Sequence, residues 1–212
     1  MTTIVIDYGA GNLRSAAKAL SVAAADNKAG PVLVSDDPAA IRAADRLVLP
    51  GVGAFADCKR GLESRPGVVE ALTEAVIDRG RPFLGICVGM QLMATVGVEY
   101  GCHPGLDWIK GQVIKLAPSN PHLKIPQMGW NNLVLKAAHP VFADLKSGDH
   151  GYFVHSYHFL ADNPTEVLAE VDYGGPVAAM IGRDNLIGVQ FHPEKSQKIG
   201  LQLLANFLAW KP

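Results

Sequence analysis

A chain of 212 residues with 49% hydrophobic and 18% charged residues can bury a large core, so its composition excludes a disordered protein. Its 19 Lys and Arg residues balance 20 Asp and Glu residues without a basic run, which argues against nucleic acid as the main partner. No signal peptide or membrane span is predicted at the start or elsewhere. The three cysteines are odd in number and widely spaced, which suits a reducing cytoplasm better than a disulfide framework, so we expect a cytoplasmic protein.

In the first half of the chain, short β-branched runs alternate with patterns typical of helices. In chain order, the predictions are a strand at 3–9, a helix at 12–24, a strand at 31–36, a helix at 36–44, a strand at 45–51, a helix at 68–80 and a strand at 81–87. Strands separated by helices of this length indicate βαβ units. They predict a parallel sheet with helices on both faces.

The second half of the chain is richer in strands. Strands are predicted at 111–116, 131–135, 152–161, 166–174 and within 177–194, where residues 183–186 form a hairpin turn. A last helix at 200–210 places Leu204, Phe207 and Leu208 on one face. We therefore predict one α/β domain over residues 1–212, a flavodoxin-like, mainly parallel sheet with an antiparallel extension in its C-terminal half.

Two patterns that could suggest a cofactor or a metal fail on their details. The segment after the first strand contains Gly9 and Gly11, but Arg14 stands where a dinucleotide fingerprint needs its third glycine. His155 and His158 lie in a predicted strand, where positions three apart face opposite sides. We expect neither a cofactor nor a metal ion.

The stretch FLGICVGMQL puts Cys87 between Gly85 and Gly89, where a predicted strand turns into a helical pattern. Glycines two residues on either side of a nucleophile remove the collisions that a strained strand-to-helix turn would otherwise cause. About 0.03 such matches are expected by chance at this composition. A helix N-terminus also favours a thiolate. Cys87 is therefore the candidate nucleophile, and the alternative is a small buried cysteine at a turn.

A thiolate nucleophile needs a base, and the base needs an orienting group. His192 lies at the end of a predicted strand, and Pro193 holds it in an extended conformation. Residues two apart in extended chain point to one side, so Glu194 can orient the His192 imidazole. Alternatively, these residues form an ordinary surface strand end.

Acyl transfer also needs backbone N–H groups that stabilise an oxyanion. Val88, directly after the candidate nucleophile, can supply one donor. The segment PGVG follows the third predicted strand, and there Gly51 and Gly53 allow a turn that directs a main-chain N–H of Val52 or Gly53 towards the site. An ordinary glycine-rich turn is the alternative.

Taken together, the segments GICVGMQ, PGVG and HPEKS resemble class I glutamine amidotransferases, which use a Cys-His-Glu triad. The further segments DYGAGN, PQMGWN and YFVHSY are most similar to the branch that forms the glutaminase subunits of imidazole glycerol phosphate synthase. The resemblance spans nearly the whole chain. It implies the catalytic triad Cys87, His192 and Glu194, and a glutamine site formed by Gly51, Gly53, Gln91, Ser156 and Tyr157.

The resemblance implies that glutamine is hydrolysed to glutamate and ammonia through a Cys87 thioester. The ammonia would pass to a (βα)8-barrel cyclase subunit in a heterodimer, where imidazole glycerol phosphate and an aminoimidazole carboxamide ribotide form during histidine biosynthesis. Candidate contacts with that partner are Asn12, Met128, Trp130 and Lys195. The segment PQMGWNN is predicted to be a loop, in which Trp130 could instead be a core anchor, and Lys195 could simply be solvated.

Three rival interpretations remain open. The chain could be an amidotransferase subunit that serves another acceptor, a stand-alone cysteine hydrolase, or a binding subunit without activity. A pull-down of the partner, the activity of the isolated chain, and labelling of Cys87 by a glutamine-like electrophile would separate them.

Overall fold

The structure is a computed structural model that describes residues 1–9 and 11–212. Ala10, in the middle of the DYGAGN segment, lies outside the described residues. The first half of the chain forms β1 (Thr3–Ile6), α1 (Leu13–Asn27), β2 (Val32–Ser35), α2 (Pro38–Ala43), β3 (Arg46–Gly51), α3 (Phe55–Glu63), α4 (Val68–Thr73), β4 (Phe83–Cys87) and α5 (Val88–Gln91). A turn of π-helix, Glu74–Asp78, continues α4.

The second half of the chain is mostly strand. It forms β5 (Val96–Gly97), β6 (His103–Pro104), β7 (Gly111–Lys115), β8 (Gln127–Asn132), β9 (Val134–Leu135), β10 (His150–His155), β11 (Tyr157–Ala161), β12 (Val167–Asp172), β13 (Pro176–Arg183), β14 (Leu186–Val189) and α6 (Gln197–Ala209). Short 3-10 turns cover Pro140–Phe142, Pro164–Glu166 and Pro193–Lys195. None of the described helices is long and apolar enough to cross a membrane.

Eight of the described strands form one sheet in the order β2-β1-β3-β4-β14-β13-β12-β9. The strands from β2 to β14 in this order pair in parallel, and β13, β12 and β9 extend the sheet in antiparallel fashion. The predicted fold class, a mainly parallel α/β sheet with an antiparallel extension, is confirmed. The predicted turn at 183–186 is also confirmed, since it joins β13 to β14.

The order of the strands explains why helices cover both faces. The chain moves from β1 to β2 through α1, and then returns past β1 to β3 through α2. Because crossovers between parallel strands are right-handed, this reversal places α1 and α2 on opposite faces. Helix α6 packs with α1, and α4 packs with α2 and α3. Ligands of such sheets bind beyond the carboxyl ends of the strands, so a binding site is expected at the ends of β3, β4 and β14.

Two sequence predictions about the second half were wrong. Residues 152–161 are two strands that meet at Ser156, with β10 paired to β8 and β11 paired to β7 in another sheet. Alternation continues through Phe153, His155 and Phe159, so a period of two could not reveal the junction. Residues 127–130, predicted as a loop, belong to strand β8, which also includes the first two residues of the strand predicted at 131–135.

Helix α3 was not predicted from the sequence. Its buried residues Phe55, Cys58, Lys59 and Leu62 follow a helical period, but the helix has only 9 residues and contains Gly61. A Cβ atom at Gly61 would lie 3.0 Å from the Tyr8 carbonyl oxygen. Glycine therefore lets α3 pack closely against the end of β1.

Candidate active site

Cys87 lies on a strained turn between β4 and α5, with φ 54° and ψ −111°. This positive φ is uncommon for a residue with a side chain. A Cβ at Gly89 would lie 1.8 Å from the Leu49 carbonyl oxygen, and one at Gly85 would lie 2.6 Å from the Gly89 carbonyl oxygen. The sequence prediction that both glycines remove collisions at this turn agrees with these distances. Helix α5 has only 4 residues, so its dipole contributes less than the sequence suggested.

The Cys87 side chain is largely buried, and its accessible part faces a cavity of about 310 Å³. The cavity lies beyond the carboxyl ends of β3, β4 and β14. Its lining residues are Val52, Gly53, Cys87, Val88, Gln91, Glu99, Pro126, Val154, His155, Ser156, Tyr157 and His192. This volume is within the range of small-molecule sites.

His192 and Glu194 form a buried pair beside this cavity. The Nδ1 atom of His192 lies 2.8 Å from Oε1 of Glu194, and both side chains are 1% exposed. The same carboxylate oxygen accepts a hydrogen bond of 3.1 Å from Nδ2 of Asn12. The other ring nitrogen of His192, Nε2, is buried and has no hydrogen-bond partner among the described residues.

Burial lowers the pKa of His192, but the nearby Cys87 side chain and the hydrogen bond and charge of Glu194 outweigh this effect and raise the pKa to about 9. Burial raises the pKa of Glu194. His192 and the amide of Asn12 lower it by more than burial raises it, so the net shift is downward. At neutral pH the pair is therefore an imidazolium and a carboxylate. This state suits a proton donor that lies next to a thiolate.

The backbone around His192 is held by the start of α6. Ser196 donates its hydroxyl to the His192 carbonyl at 2.7 Å and accepts the Tyr152 backbone N–H at 2.9 Å. A Cβ at Gly200 would lie 2.0 Å from the Pro193 carbonyl oxygen. The segment after Glu194 therefore anchors the imidazole, a role that sequence reasoning did not give to Ser196.

Two buried side chains hold the PGVG loop in place by donating hydrogen bonds to its backbone carbonyls. The Tyr8 hydroxyl donates to the Pro50 carbonyl at 2.6 Å, and the Cys58 thiol donates to the Val52 carbonyl at 3.3 Å. Burial raises the pKa of Tyr8 and raises that of Cys58 to about 11, so both groups keep their protons. Gly53 has φ 100°, in the region that favours glycine.

Of the predicted glutamine-binding residues, Gly53, Gln91, Ser156 and Tyr157 line the cavity. Gly51 lies behind the turn instead, where a Cβ would be 2.8 Å from the Gly89 backbone nitrogen. Its glycine is needed for the close approach of β3 to the turn at Cys87. The predicted oxyanion donors Val52, Gly53 and Val88 also line the cavity.

His155 holds part of the cavity wall in place. Its Nδ1 lies 2.8 Å from the Tyr157 carbonyl oxygen and its Nε2 lies 3.0 Å from the Gln127 side-chain amide. Burial lowers the pKa of His155 to about 4, so the ring is neutral. Neither His155 nor Gln127 was a site candidate in the sequence, since a histidine in a strand gives no local signal.

The predicted partner residues divide into two groups. Met128 and Trp130 are 66% and 46% exposed on the outer side of β8, so Trp130 is not a core anchor. Trp130 packs edge-on against Tyr152, and Lys195 lies 5.7 Å from the centre of the Tyr152 ring. Asn12, by contrast, is buried against Glu194. Within residues 1–9 and 11–212, no group of three or more His, Cys, Asp or Glu side chains is placed to hold a metal ion.

Comparison with known proteins agrees with this site. Residues 4–210 match the model of the family "Glutamine amidotransferase class-I". The chain therefore belongs to the class I glutamine amidotransferase family. It is 58% identical over 212 residues to the imidazole glycerol phosphate synthase subunit HisH of Ruegeria pomeroyi and 59% identical over 214 residues to that of Rhodospirillum rubrum, and each match covers both chains completely.

Solved structures are similar in fold at much lower sequence identity. A crystal structure described as a glutamine amidotransferase has a TM-score of 0.72 at 19% identity, with 97% of each chain covered. The glutaminase domain of CTPS from Trypanosoma brucei, solved with bound acivicin, has a TM-score of 0.67 at 13% identity, covering 100% of this chain and 95% of that one. These two likenesses concern the fold alone.

Proposed function

We propose that this chain is the glutaminase subunit of an imidazole glycerol phosphate synthase and supplies ammonia for histidine biosynthesis. The observation that carries the glutaminase activity is the strained Cys87 turn, which shares one cavity with His192 and its partner Glu194. The identity of the synthase is supported by the relatives of that name, which match along the full chain. The whole chain, 1–212, would act as one amidotransferase domain.

In the first step, the thiolate of Cys87 attacks the side-chain amide carbon of glutamine and forms a C–S bond. The carbonyl oxygen becomes an oxyanion, which accepts hydrogen bonds from the Val88 N–H and from an N–H of Val52 or Gly53. The C–N bond then breaks as His192, protonated at neutral pH, gives its proton to the leaving nitrogen. Ammonia leaves, and a γ-glutamyl thioester remains on Cys87.

In the second step, water attacks the thioester carbonyl and His192 accepts its proton. The C–S bond breaks, the thiolate returns, and glutamate is released. Glu194 holds the imidazole through Nδ1 and stabilises its charged form in both steps. The substrate lies against Gly53, Gln91, Ser156 and Tyr157. The reaction needs Cys87 reduced and not in a disulfide, which suits a reducing cytoplasm.

A cyclase subunit with a (βα)8 barrel would cover the outer side of the β8–β10 pair. There Met128, Trp130, Tyr152 and Lys195 form a surface that is apolar and aromatic with one cation, the composition of an interface core and its rim. Val154, opposite Met128 in the strand pairing, also lines the cavity. The partner surface therefore adjoins the site of ammonia release. Asn12 would act through Glu194 instead of through the partner.

The test is glutamate release from glutamine by the purified chain, alone and with the barrel cyclase and its acceptor ligand. We expect weak activity alone, a strong increase with the cyclase and ligand together, and loss of activity in Cys87→Ser. Trp130→Ala should weaken the complex while leaving the fold intact. Equal, high activity without the cyclase would favour a stand-alone hydrolase, and activation only by another synthase would favour a different acceptor. Silence under every condition would favour a binding subunit.

A further inference from the structure

Gln190 is a fully buried amide that touches the sulfur of Cys87. It directly follows β14, and its Nε2 donates to the Cys87 sulfur over 3.6 Å. Strand β14 pairs with β4 in parallel, with Val189 opposite Ile86, so the next residues in register are Gln190 and Cys87. The backbone N–H of Gln190 is itself held by the Ala179 carbonyl at 2.9 Å. The contact is therefore built into the main sheet.

Neighbouring groups determine which end of the Gln190 amide faces the sulfur. The Tyr157 carbonyl can only accept, so Gln91 must turn its NH2 group towards it, at 3.0 Å. The same NH2 group donates to Oε1 of Gln190, also at 3.0 Å. A flipped Gln190 would place two NH2 groups against each other. Its own NH2 must therefore point at Cys87.

We propose that Gln190 is a catalytic residue that donates a hydrogen bond to the Cys87 thiolate and favours it over the thiol. This role rests on the proposed glutaminase function of the same site. Hydrogen bonds to charged acceptors are stronger than those to neutral ones, so the N–H group of Gln190 stabilises the thiolate more than the thiol. The donor is fixed in place before substrate binds, so it needs no reorganisation during the reaction.

The donor is also connected to the substrate wall. Gln91 lines the cavity and links the Tyr157 carbonyl to Gln190, which in turn contacts the nucleophile. As a result, both the amide oxygen and the amide nitrogen of the buried Gln190 side chain have a partner. Other titratable groups near the sulfur or on the cavity wall are His192, Tyr8, Cys58, His155, Tyr157 and Glu99.

The experiment measures the rate of Cys87 alkylation by iodoacetamide against pH. It uses the full chain with Cys102→Ser, because Cys102 is exposed and would react as well. Mass spectrometry of the peptide that contains Cys87 separates its labelling from that of buried Cys58. The variant Gln190→Met removes the donor at similar volume. Gln127→Met is the matched control, since Gln127 is another buried amide that bonds to His155 and not to Cys87.

We expect Gln190→Met to move the midpoint of the alkylation profile upward by roughly one pH unit, a tenfold change in the thiol–thiolate equilibrium. Its kcat for glutamine at pH 7 should fall about tenfold, with KM changed much less, and Gln127→Met should leave the midpoint in place. If Gln190→Met does not fold, Gln190→Glu serves as the second variant. It also removes the NH2 donor, and its negative charge should raise the midpoint by more than Gln190→Met would.

An unchanged midpoint in a folded Gln190 variant, or an equal shift in Gln127→Met, would overturn the proposal. These results are distinct from a failure of the proposed function. If the wild-type chain releases no glutamate under any condition but its midpoint still depends on Gln190, the donor role stands and the glutaminase assignment fails.

Discussion

The stability of the protein should decrease as the pH falls from 7 to 5, and His155 should account for much of the decrease. This imidazole is buried, and burial is the main reason why its pKa falls to about 4. The charges of His158 and His192 lower the pKa further, while the hydrogen bond to the Tyr157 carbonyl opposes them. In the unfolded chain the same ring has a pKa of about 6.5.

Between these two pKa values, the unfolded chain binds a proton at His155 and the folded chain does not. The free energy of unfolding therefore rises with pH through this window, and the contribution is lost as the pH falls from about 6.5 towards 4. The shift from 6.5 to about 4 corresponds to about 3 kcal/mol in full. About 2 kcal/mol of this should be lost between pH 7 and pH 5.

Urea unfolding at pH 5, 6 and 7 measures this effect in the wild type and in His155→Asn. Asparagine keeps an N–H group near the position of Nδ1 but does not titrate in this range. The wild type should lose about 2 kcal/mol more than the variant between pH 7 and pH 5. His122→Asn, at an exposed histidine, should behave as the wild type. Equal losses in the wild type and in His155→Asn would refute the reasoning.

Two further predictions concern the turn and the triad. Gly89→Ala should prevent the turn from forming, because its Cβ would overlap the Leu49 carbonyl oxygen at 1.8 Å; the variant should lose activity and melt at a lower temperature, and a folded, fully active variant would contradict this. Asn12→Leu should lower kcat roughly tenfold, because the charged carboxylate of Glu194 loses a donor. Steady-state kinetics would show this as a change in kcat with little change in KM, and an unchanged kcat would mean that the Asn12 contact does not support the triad.

The sequence predicts those parts of the fold and site that depend on residues close together in the chain. The turn at Cys87 is visible because its steric requirements fall on Gly85 and Gly89, two positions away. The pairing of His192 with Glu194 is also local, but they meet across a 3-10 turn that begins at Pro193 and not along the extended chain that the sequence analysis predicted. The inner strands β1, β3 and β4 of the parallel sheet are fully buried, and their apolar runs are distinct in the sequence.

The features that the sequence did not reveal depend on contacts between distant residues. Asn12 bonds to Glu194 across 182 positions, and its DYGAGN context gave no sign that it points inward. Strand β8 forms because His150–His155 pairs with it, although Pro126 and Gly129 give its segment the composition of a loop. Such pairings are decided by the tertiary fold and not by local propensity.

The chemistry of the site follows from one row of residues across the sheet. Gly51 on β3 pairs with Cys87 on β4, and Gln190 continues the row next to β14. On one side of Cys87, position 51 must be glycine, because a Cβ atom there would collide with the backbone of the turn at Gly89. On the other side the row holds a donor within 3.6 Å of the sulfur. A strained backbone costs ~1–3 kcal/mol, and it persists because buried strands on both sides leave it no room to relax. The sheet that holds Cys87 in this conformation therefore also brings the donor to its sulfur.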